Sequence, residues 1–206
     1  MATPTRPAGL DGQMPRRQSR LSSEVTYRAA LRAATPFPLP PGTVESCLLD
    51  DPLFVRAWTD GPAWLSAQER RGRLSVDVGT IAESVATVLL QEVGLDIFAE
   101  LAAAGIHGVD LLALTPAAEV TAIEVKGTFR RGAIPRLGRG RLRQMSLEWL
   151  SNPANPAMVE WGLEGADVYG TLLVVDFADR SWRVALTRDY QTFRPVVELR
   201  ELEAVA

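Results

Sequence analysis

Cysteine, histidine and lysine each occur once in this 206-residue chain, whereas arginine occurs at twenty-one positions. The single cysteine, Cys47, excludes an internal disulfide, and the single histidine, His107, excludes a metal site built on two histidines. A serine–histidine–acid triad would depend on His107 alone, and no nucleophile-turn motif accompanies it. We interpret His107 as a polar residue at the start of a strand. Catalysis in this chain would therefore rest mainly on carboxylates, lysine and an added metal ion.

The sequence also lacks any apolar run close to the ~18 residues of a membrane span, and its N-terminus has no apolar signal-peptide region. Its composition, 47% hydrophobic and 23% charged, is that of a soluble folded protein. The length suits one domain of ordinary size. We therefore expect a cytoplasmic protein with no membrane association.

The residue pattern predicts an α/β chain with three parts. Residues 1–20 are rich in proline, arginine, glutamine and glycine, and we expect them to form a disordered tail. Residues 21–72 are expected to form a helical N-terminal extension, which the proline-rich segment 35–42 interrupts. Residues 73–206 are expected to form the main domain.

Within the main domain, helices and strand pairs are predicted to alternate. Helical spacing and alternation predict a helix over 76–94 that ends at Gly94, strands over 107–114 and 120–127, a helix over 140–153, and strands over 167–177 and 181–187.

The first strand pair brings charged residues together. If the hairpin turns about Ala117, Asp110 lies opposite Glu124. Alternate side chains of a strand share a face, so Glu124 and Lys126 point together while the residues between them point into the core. Directly opposed carboxylates repel each other, so a positive charge is required between them.

One lysine cannot neutralise two acids and also serve a further role, whereas a divalent cation held by oxygen ligands can. Mg²⁺ is typically bound by one or two carboxylates together with substrate phosphate and water, and Mn²⁺ is the alternative. The amine of Lys126 beside such an ion could orient or deprotonate a water molecule. A guanidinium is always charged and could not deprotonate it, which gives the single lysine a function. The competing interpretation is that Lys126 survived a general drift from lysine to arginine by chance.

These motifs resemble those of the PD-(D/E)XK nuclease superfamily. The sequence has "GVD" at 108–110, a thirteen-residue spacer and "EVK" at 124–126, after a predicted helix that carries a glutamate. Val109 stands where the family name has proline. The resemblance covers about residues 76–150, and it implies a restriction-endonuclease-like core with a central mixed β-sheet flanked by helices.

The resemblance also implies roles for individual residues. In the family, the acids that match Asp110 and Glu124 bind Mg²⁺, the lysine that matches Lys126 assists the attacking water, and a helical glutamate often completes the site. Glu83 is the candidate for that glutamate, although it could instead close a capping box at the helix start, and Asp77 is the fallback. The expected metal ligands are Asp110, Glu124, Glu83 and Val125, and the expected catalytic residues are Lys126, Asp110, Glu124, Glu83 and Gln144.

Gln144 is included because family members often place a polar residue of the next helix beside the site. The alternative is that Gln144 is a solvated residue beside the apolar face of an amphipathic helix.

Six arginines and no acidic residue occur between positions 130 and 143. Guanidinium groups suit phosphates, so we expect this segment to grip a nucleic-acid backbone. The alternative is a solvated basic loop. The arginines concerned are Arg130, Arg131, Arg136, Arg139, Arg141 and Arg143.

Three hypotheses follow for the whole chain. The first is a metal-dependent nuclease that hydrolyses phosphodiester bonds, with DNA favoured over RNA. The second is a nuclease-fold protein that binds nucleic acid or regulates, without catalysis. The third is a structural α/β domain whose hairpin charges are solvated, with Glu83 remote from Asp110 and Glu124. The sequence leaves the oligomeric state open, and a dimer is compatible with it.

Overall fold

The structure is a computed structural model and describes residues 16–47, 51–100, 108–138 and 142–203. Its helices are α1 (Arg16–Ala33), α2 (Thr43–Cys47), α3 (Pro52–Asp60), α4 (Ala67–Arg71), α5 (Arg73–Glu92), α6 (Leu147–Leu150), α7 (Pro156–Glu160) and α8 (Arg200–Glu203). Its strands are β1 (Phe37–Pro38), β2 (Asp96–Glu100), β3 (Leu111–Leu114), β4 (Val120–Thr128), β5 (Tyr169–Asp176), β6 (Ser181–Thr187) and β7 (Arg194–Pro195).

The strands of the described residues form one seven-stranded mixed sheet in the order β1-β6-β5-β4-β3-β2, with β7 also paired to β6. The central pair, β4 and β5, is parallel, and the other pairs are antiparallel. A parallel pair requires a crossover connection, which here contains α6 and α7. The predicted α/β class, a mixed sheet flanked by helices, is confirmed.

Helix α5 covers one face of the sheet because its apolar residues recur at helical spacing. Ile81, Val85 and Leu89 are buried in one cluster with Ile123 and Val125 of β4. The helix ends before Gly94, whose φ of 88° is readily adopted only by glycine. The helix predicted over 76–94 is confirmed, with a start three residues earlier.

Among the described helices, α5 is also the one that is long and apolar enough to cross a membrane, with a mean hydropathy of 1.2 over its most apolar window. Of that window, 44% is buried inside the protein. Its apolar stripe packs against the sheet.

The opposite face of the sheet is covered by α1 and by the segment that contains α6 and α7. Tyr27, Trp149 and Leu150 are buried there with Leu112 of β3 and Leu172 of β5. The central strands are therefore buried on both faces, as expected for strands beneath two layers of helices.

The N-terminal part of the chain shares this core. Helix α1 begins at Arg16, inside the predicted tail, and residues 1–15 of that tail lie outside the described residues. Strand β1 pairs with β6, and Phe54 of α3 packs against Phe129 and Phe177.

The predicted strands are present, with small shifts at their ends. The first predicted strand begins at Leu111, and His107 lies outside the described residues. The other three predicted strands correspond to β4, β5 and β6. Strand β2 was not predicted, because its five residues begin and end with acids and so show little alternation.

The predicted helix over 140–153 is wrong. Of the described part of this range, residues 142–153, only Leu147–Leu150 is helical, with Ser146 as its N-cap. Met145 has a φ of 58°, outside the range of a right-handed helix, so the helix cannot extend toward the N-terminus past Ser146.

Candidate metal and catalytic site

The β3–β4 hairpin positions the candidate residues, and its predicted register is confirmed. Leu111 pairs with Ile123 and Leu114 pairs with Val120. The turn is closed by a hydrogen bond of 2.9 Å from the N–H of Thr115 to the carbonyl of Glu119. The apolar alternation of both strands fixes this register, because a slip of one residue would turn every buried side chain to the other face.

Asp110 departs from the ladder, so the prediction that it lies directly opposite Glu124 needs correction. Its N–H donates to the carbonyl of Ile123 at 3.1 Å, although Leu111 already pairs with Ile123. Two residues against one is the arrangement of a β-bulge, which re-aims a side chain. The carboxylate of Asp110 is turned onto β4, where its Oδ2 accepts the N–H of Val125 at 2.7 Å.

Glu124 is fully buried, with an exposed fraction of 0%. Its Oε1 forms an ion pair and hydrogen bond with Nζ of Lys126, whose side chain is 24% exposed. Its Oε2 is buried and has no hydrogen-bond partner among the described residues. The hypothesis of solvated hairpin charges is therefore wrong for Glu124, and half of this carboxylate lacks the pairing that burial requires.

Glu83 lies well inside α5, which begins at Arg73, so the capping-box interpretation is wrong. Burial and the nearby charge of Asp110 raise the pKa of Glu83 to about 7, while Lys126 lowers it. The structure therefore brings Glu83 within electrostatic reach of Asp110 and Lys126. The fallback residue, Asp77, is engaged elsewhere on the same helix, where it pairs with Arg73 at 3.9 Å.

The carboxyl groups perturb one another. Burial, followed by the charge of Asp110, raises the pKa of Glu124 to about 8, against the opposing effect of Lys126. Burial also raises the pKa of Asp110, although Lys126 and the N–H of Val125 lower it. Burial disfavours the charge on Lys126, yet the neighbouring carboxylates keep the pKa of this lysine above its usual value. Three acids thus share one ammonium group, and the charge of Asp110 adds to burial in raising the pKa values of Glu83 and Glu124.

The donor set fits a hard cation in its chemistry. All the available donors are oxygens, the type that Mg²⁺ and Mn²⁺ prefer, and Oε2 of Glu124 is an orphaned buried acceptor. Val125 can contribute only its carbonyl oxygen. In a strand that carbonyl points to the same edge as the N–H bound by Asp110, beyond the end of β3. Within the described ranges, however, no group of three or more His, Cys, Asp or Glu side chains is already arranged to hold a metal ion.

The arginine segment follows β4 directly. Arg130, Arg131 and Arg136 are exposed, and Arg131 forms an ion pair of 3.2 Å with Asp179. Arg143 is half-buried and lies over the ring of Tyr27, with its guanidinium carbon 5.4 Å from the ring centre. Arg139 and Arg141 lie outside the described residues. Of the arginines that the structure describes, the first three thus face solvent, while Arg143 contacts the protein itself.

Gln144 lies in a turn and not on the predicted helix, because α6 begins only at Leu147. Its side-chain oxygen accepts the N–H of Gly138, which joins the middle of the arginine segment to the residue that follows it. A Cβ on Gly138 would lie 2.7 Å from that oxygen, so a larger residue there would displace the Gln144 side chain. The contact gives Gln144 a structural role.

Asp176, at the end of β5, positions the arginine segment and was missed in the sequence. It is 1% exposed, and its Oδ2 accepts the N–H of Gly132 at 2.6 Å. Its Oδ1 accepts the N–H groups of Ala178 and Asp179 at 3.1 Å. The signal available in the sequence was an acidic residue directly after the apolar run of a predicted buried strand.

Comparisons with known proteins add no family assignment. A scan against protein-family models gives no match to this chain, and a search of curated proteins gives none either. The motif and the geometry of the site are therefore the features from which a function can be inferred.

Proposed function

We propose that this chain is a metal-dependent nuclease of the PD-(D/E)XK type, with a restriction-endonuclease-like core, that hydrolyses phosphodiester bonds in DNA. One observation carries the proposal. Glu124 is completely buried, is bound on one oxygen by the only lysine of the chain, and has no hydrogen-bond partner on the other oxygen among the described residues. A structural carboxylate in such a position would be a net cost to the fold, so a ligand for the second oxygen explains its presence.

Asp110 and Glu124 would hold the cation, with Glu83 and the carbonyl of Val125 as further donors. A divalent ion bound there would polarise the phosphodiester and lower the pKa of a bound water. The carboxylates supply the charge that retains the ion. The β-bulge fixes the direction of Asp110, so that one of its oxygens is anchored on β4.

Lys126 would orient the attacking water and balance charge on the phosphate. Its side chain is partly exposed and shares a strand face with Glu124, so it can reach both the carboxylate and a substrate. A lysine in this position can give up its proton, whereas arginine cannot. General acid–base assistance of this kind contributes ~10²–10⁴ to a rate.

The exposed arginines would grip the nucleic-acid backbone. Arg130 and Arg136 lie on the segment that leaves β4 two residues after Lys126, so bound phosphates would be held beside the proposed centre. Asp176 and Gln144 fasten this segment to the fold, which limits the entropy lost when phosphates bind.

The test is incubation of the purified protein with linear, circular and single-stranded DNA and with RNA, in Mg²⁺, in Mn²⁺ and in EDTA. We expect metal-dependent cleavage of DNA that is abolished in Lys126→Ala and in Asp110→Ala, with folding checked by circular dichroism. Cleavage that persists in both folded variants, or that occurs equally in EDTA, would sink the proposal. Exposed Asp167→Asn serves as a control that should cleave normally.

A second candidate is a nuclease-fold protein that binds nucleic acid without cutting it. The observation in its favour is that no three-ligand group is preformed among the described residues. Melting with increasing Mg²⁺ or Mn²⁺ separates the two, since an ion that binds only the folded state stabilises it by mass action. An unchanged melting temperature at millimolar metal would favour the second candidate.

A further inference from the structure

A cavity of about 360 Å³ lies against α6 and the N-terminus of α7. Gly108, two residues before Asp110, forms part of its wall, and the segment that runs from Glu148 to Asn155 forms most of the rest. This volume is within the range of small-molecule sites in proteins. Two residues of backbone span at most ~7 Å, so the Cα of Asp110 lies within that distance of this part of the cavity wall.

Asn155 lines this cavity and has an unusual side chain. It occupies the N-cap position of α7, yet its side chain makes no capping hydrogen bond. It is 2% exposed, and neither its Oδ1 nor its Nδ2 has a partner among the described residues. In Asn152, by contrast, Oδ1 accepts the N–H of Ala154 at 2.9 Å. Since buried polar groups are nearly always paired, Asn155 calls for a partner that the described residues do not supply.

The walls indicate the chemistry of that partner. Glu148 contributes a negative charge, which disfavours a phosphate, and Trp149 contributes an aromatic, apolar surface. The amide of Asn155 offers one donor and one acceptor in a single plane, the pattern that pairs with the edge of a nucleobase. A carboxylate such as Glu148 accepts from an exocyclic amino group.

We propose that the cavity binds the base of a nucleotide adjacent to the cleaved phosphate, and that it favours bases with an exocyclic amino group, such as adenine and cytosine, over thymine, because such a group suits Glu148. The proposal rests on the proposed nuclease function, because the base is placed by its neighbour phosphate at Asp110. Both amide atoms of Asn155 are covered, so a side-chain rotation accompanies binding.

Binding is measured by ¹H–¹⁵N NMR titration of the full chain with dAMP, dCMP and dTMP, both in Mg²⁺ and in EDTA. The indole signal of Trp149, one of five tryptophans, is assigned with Trp149→Phe. We expect this signal to shift on addition of dAMP and dCMP, with dissociation constants at least fivefold lower than that for dTMP. Asn155→Leu should lose at least tenfold in affinity and melt no lower than the wild type, because leucine removes the unpaired amide. Exposed Gln91→Leu, the matched amide-to-leucine control, should bind normally.

Glu148→Gln is an exposed change that tests the preference even if Asn155→Leu fails to fold. It should reduce the advantage of dAMP and dCMP over dTMP. The proposal is overturned if the wild type shows no shift with any nucleotide, if Glu148→Gln leaves the preference unchanged, or if Asn155→Leu binds normally.

The same titration in Lys126→Ala separates this proposal from the nuclease function. Base binding with no metal-dependent cleavage in the wild type would refute the proposed nuclease function. It would also refute the placement of the neighbouring phosphate at Asp110, but the base-binding pocket would remain supported. Metal-dependent cleavage without base binding would remove the pocket alone.

Discussion

Asp110→Asn should make the metal-free protein more stable while it removes metal binding. The amide oxygen of asparagine can still accept the N–H of Val125, so the bulge is kept. Two unit charges roughly 4–6 Å apart, the range over which a neighbouring charge shifts a pKa, repel by roughly 3–4 kcal/mol at an effective dielectric constant of ~20. Partial protonation of Glu83 and Glu124, with pKa values of about 7 and 8, and the lost attraction to Lys126 reduce the net gain to about 1 kcal/mol.

The assay is thermal melting at pH 8 in EDTA and in Mg²⁺. A gain of about 1 kcal/mol raises the melting temperature of a chain this size by roughly 2–4 °C. Mg²⁺ at ten times its Kd should add about 1.4 kcal/mol to the wild type and nothing to the variant. Exposed Asp167→Asn is the matched control and should respond to Mg²⁺ like the wild type. The reasoning is refuted if Asp110→Asn melts lower in EDTA, or if Mg²⁺ stabilises it as much as the wild type.

Three further predictions concern pH, phosphate binding and packing. Because the folded pKa of Glu124 is raised to about 8, the native state holds this proton between about pH 5 and 8 while the unfolded state releases it. In EDTA, stability should therefore fall as pH rises through that window, by up to ~1.4 kcal/mol per pH unit, and fall less in Glu124→Gln, as urea titrations at each pH would show. Equal pH dependence in both proteins would contradict this assignment. The double variant Arg130→Gln, Arg136→Gln should have a less steep negative slope of log DNA affinity against log salt, by about 0.9 for each phosphate that is no longer neutralised. The exposed control Arg56→Gln should leave the slope unchanged. Gly127→Ala should destabilise the fold by ~1–3 kcal/mol in urea unfolding, because its Cβ would lie 2.6 Å from a backbone oxygen of α5, and a neutral effect would show that the helix can move away.

Local pattern was sufficient to predict the hairpin that carries the site. The apolar alternation on both strands left one register that buries both sets of side chains, and the pairing of Leu111 with Ile123 confirms it. Helix α5 was predictable for the same reason, since its apolar stripe is continuous and Gly94 stops it. These elements place Glu124 and Lys126 on one strand face.

Other features depend on contacts that a linear pattern does not contain. The bulge at Asp110 lies just before the first residue of β3, where the longer strand β4 continues beyond its partner. The direction of the Asp110 side chain therefore follows from the tertiary pairing. The helix predicted across Gln144 fails because Met145 has a positive φ and Gln144 bonds Gly138 instead. The full burial of Glu124 depends on the parallel pairing of β4 with β5. The sequence of β5 does not indicate which strand it pairs with.

The most direct test of the account compares wild-type protein with Lys126→Arg in a Mg²⁺-dependent cleavage assay on labelled DNA. Arginine keeps the positive charge beside Glu124 but cannot give up its proton at neutral pH. The account predicts that the wild type cleaves, that EDTA stops it, and that the folded variant cleaves at least ~10²-fold more slowly. Equal rates in the two proteins, or no cleavage by the wild type of any nucleic acid with Mg²⁺ or Mn²⁺, would contradict it.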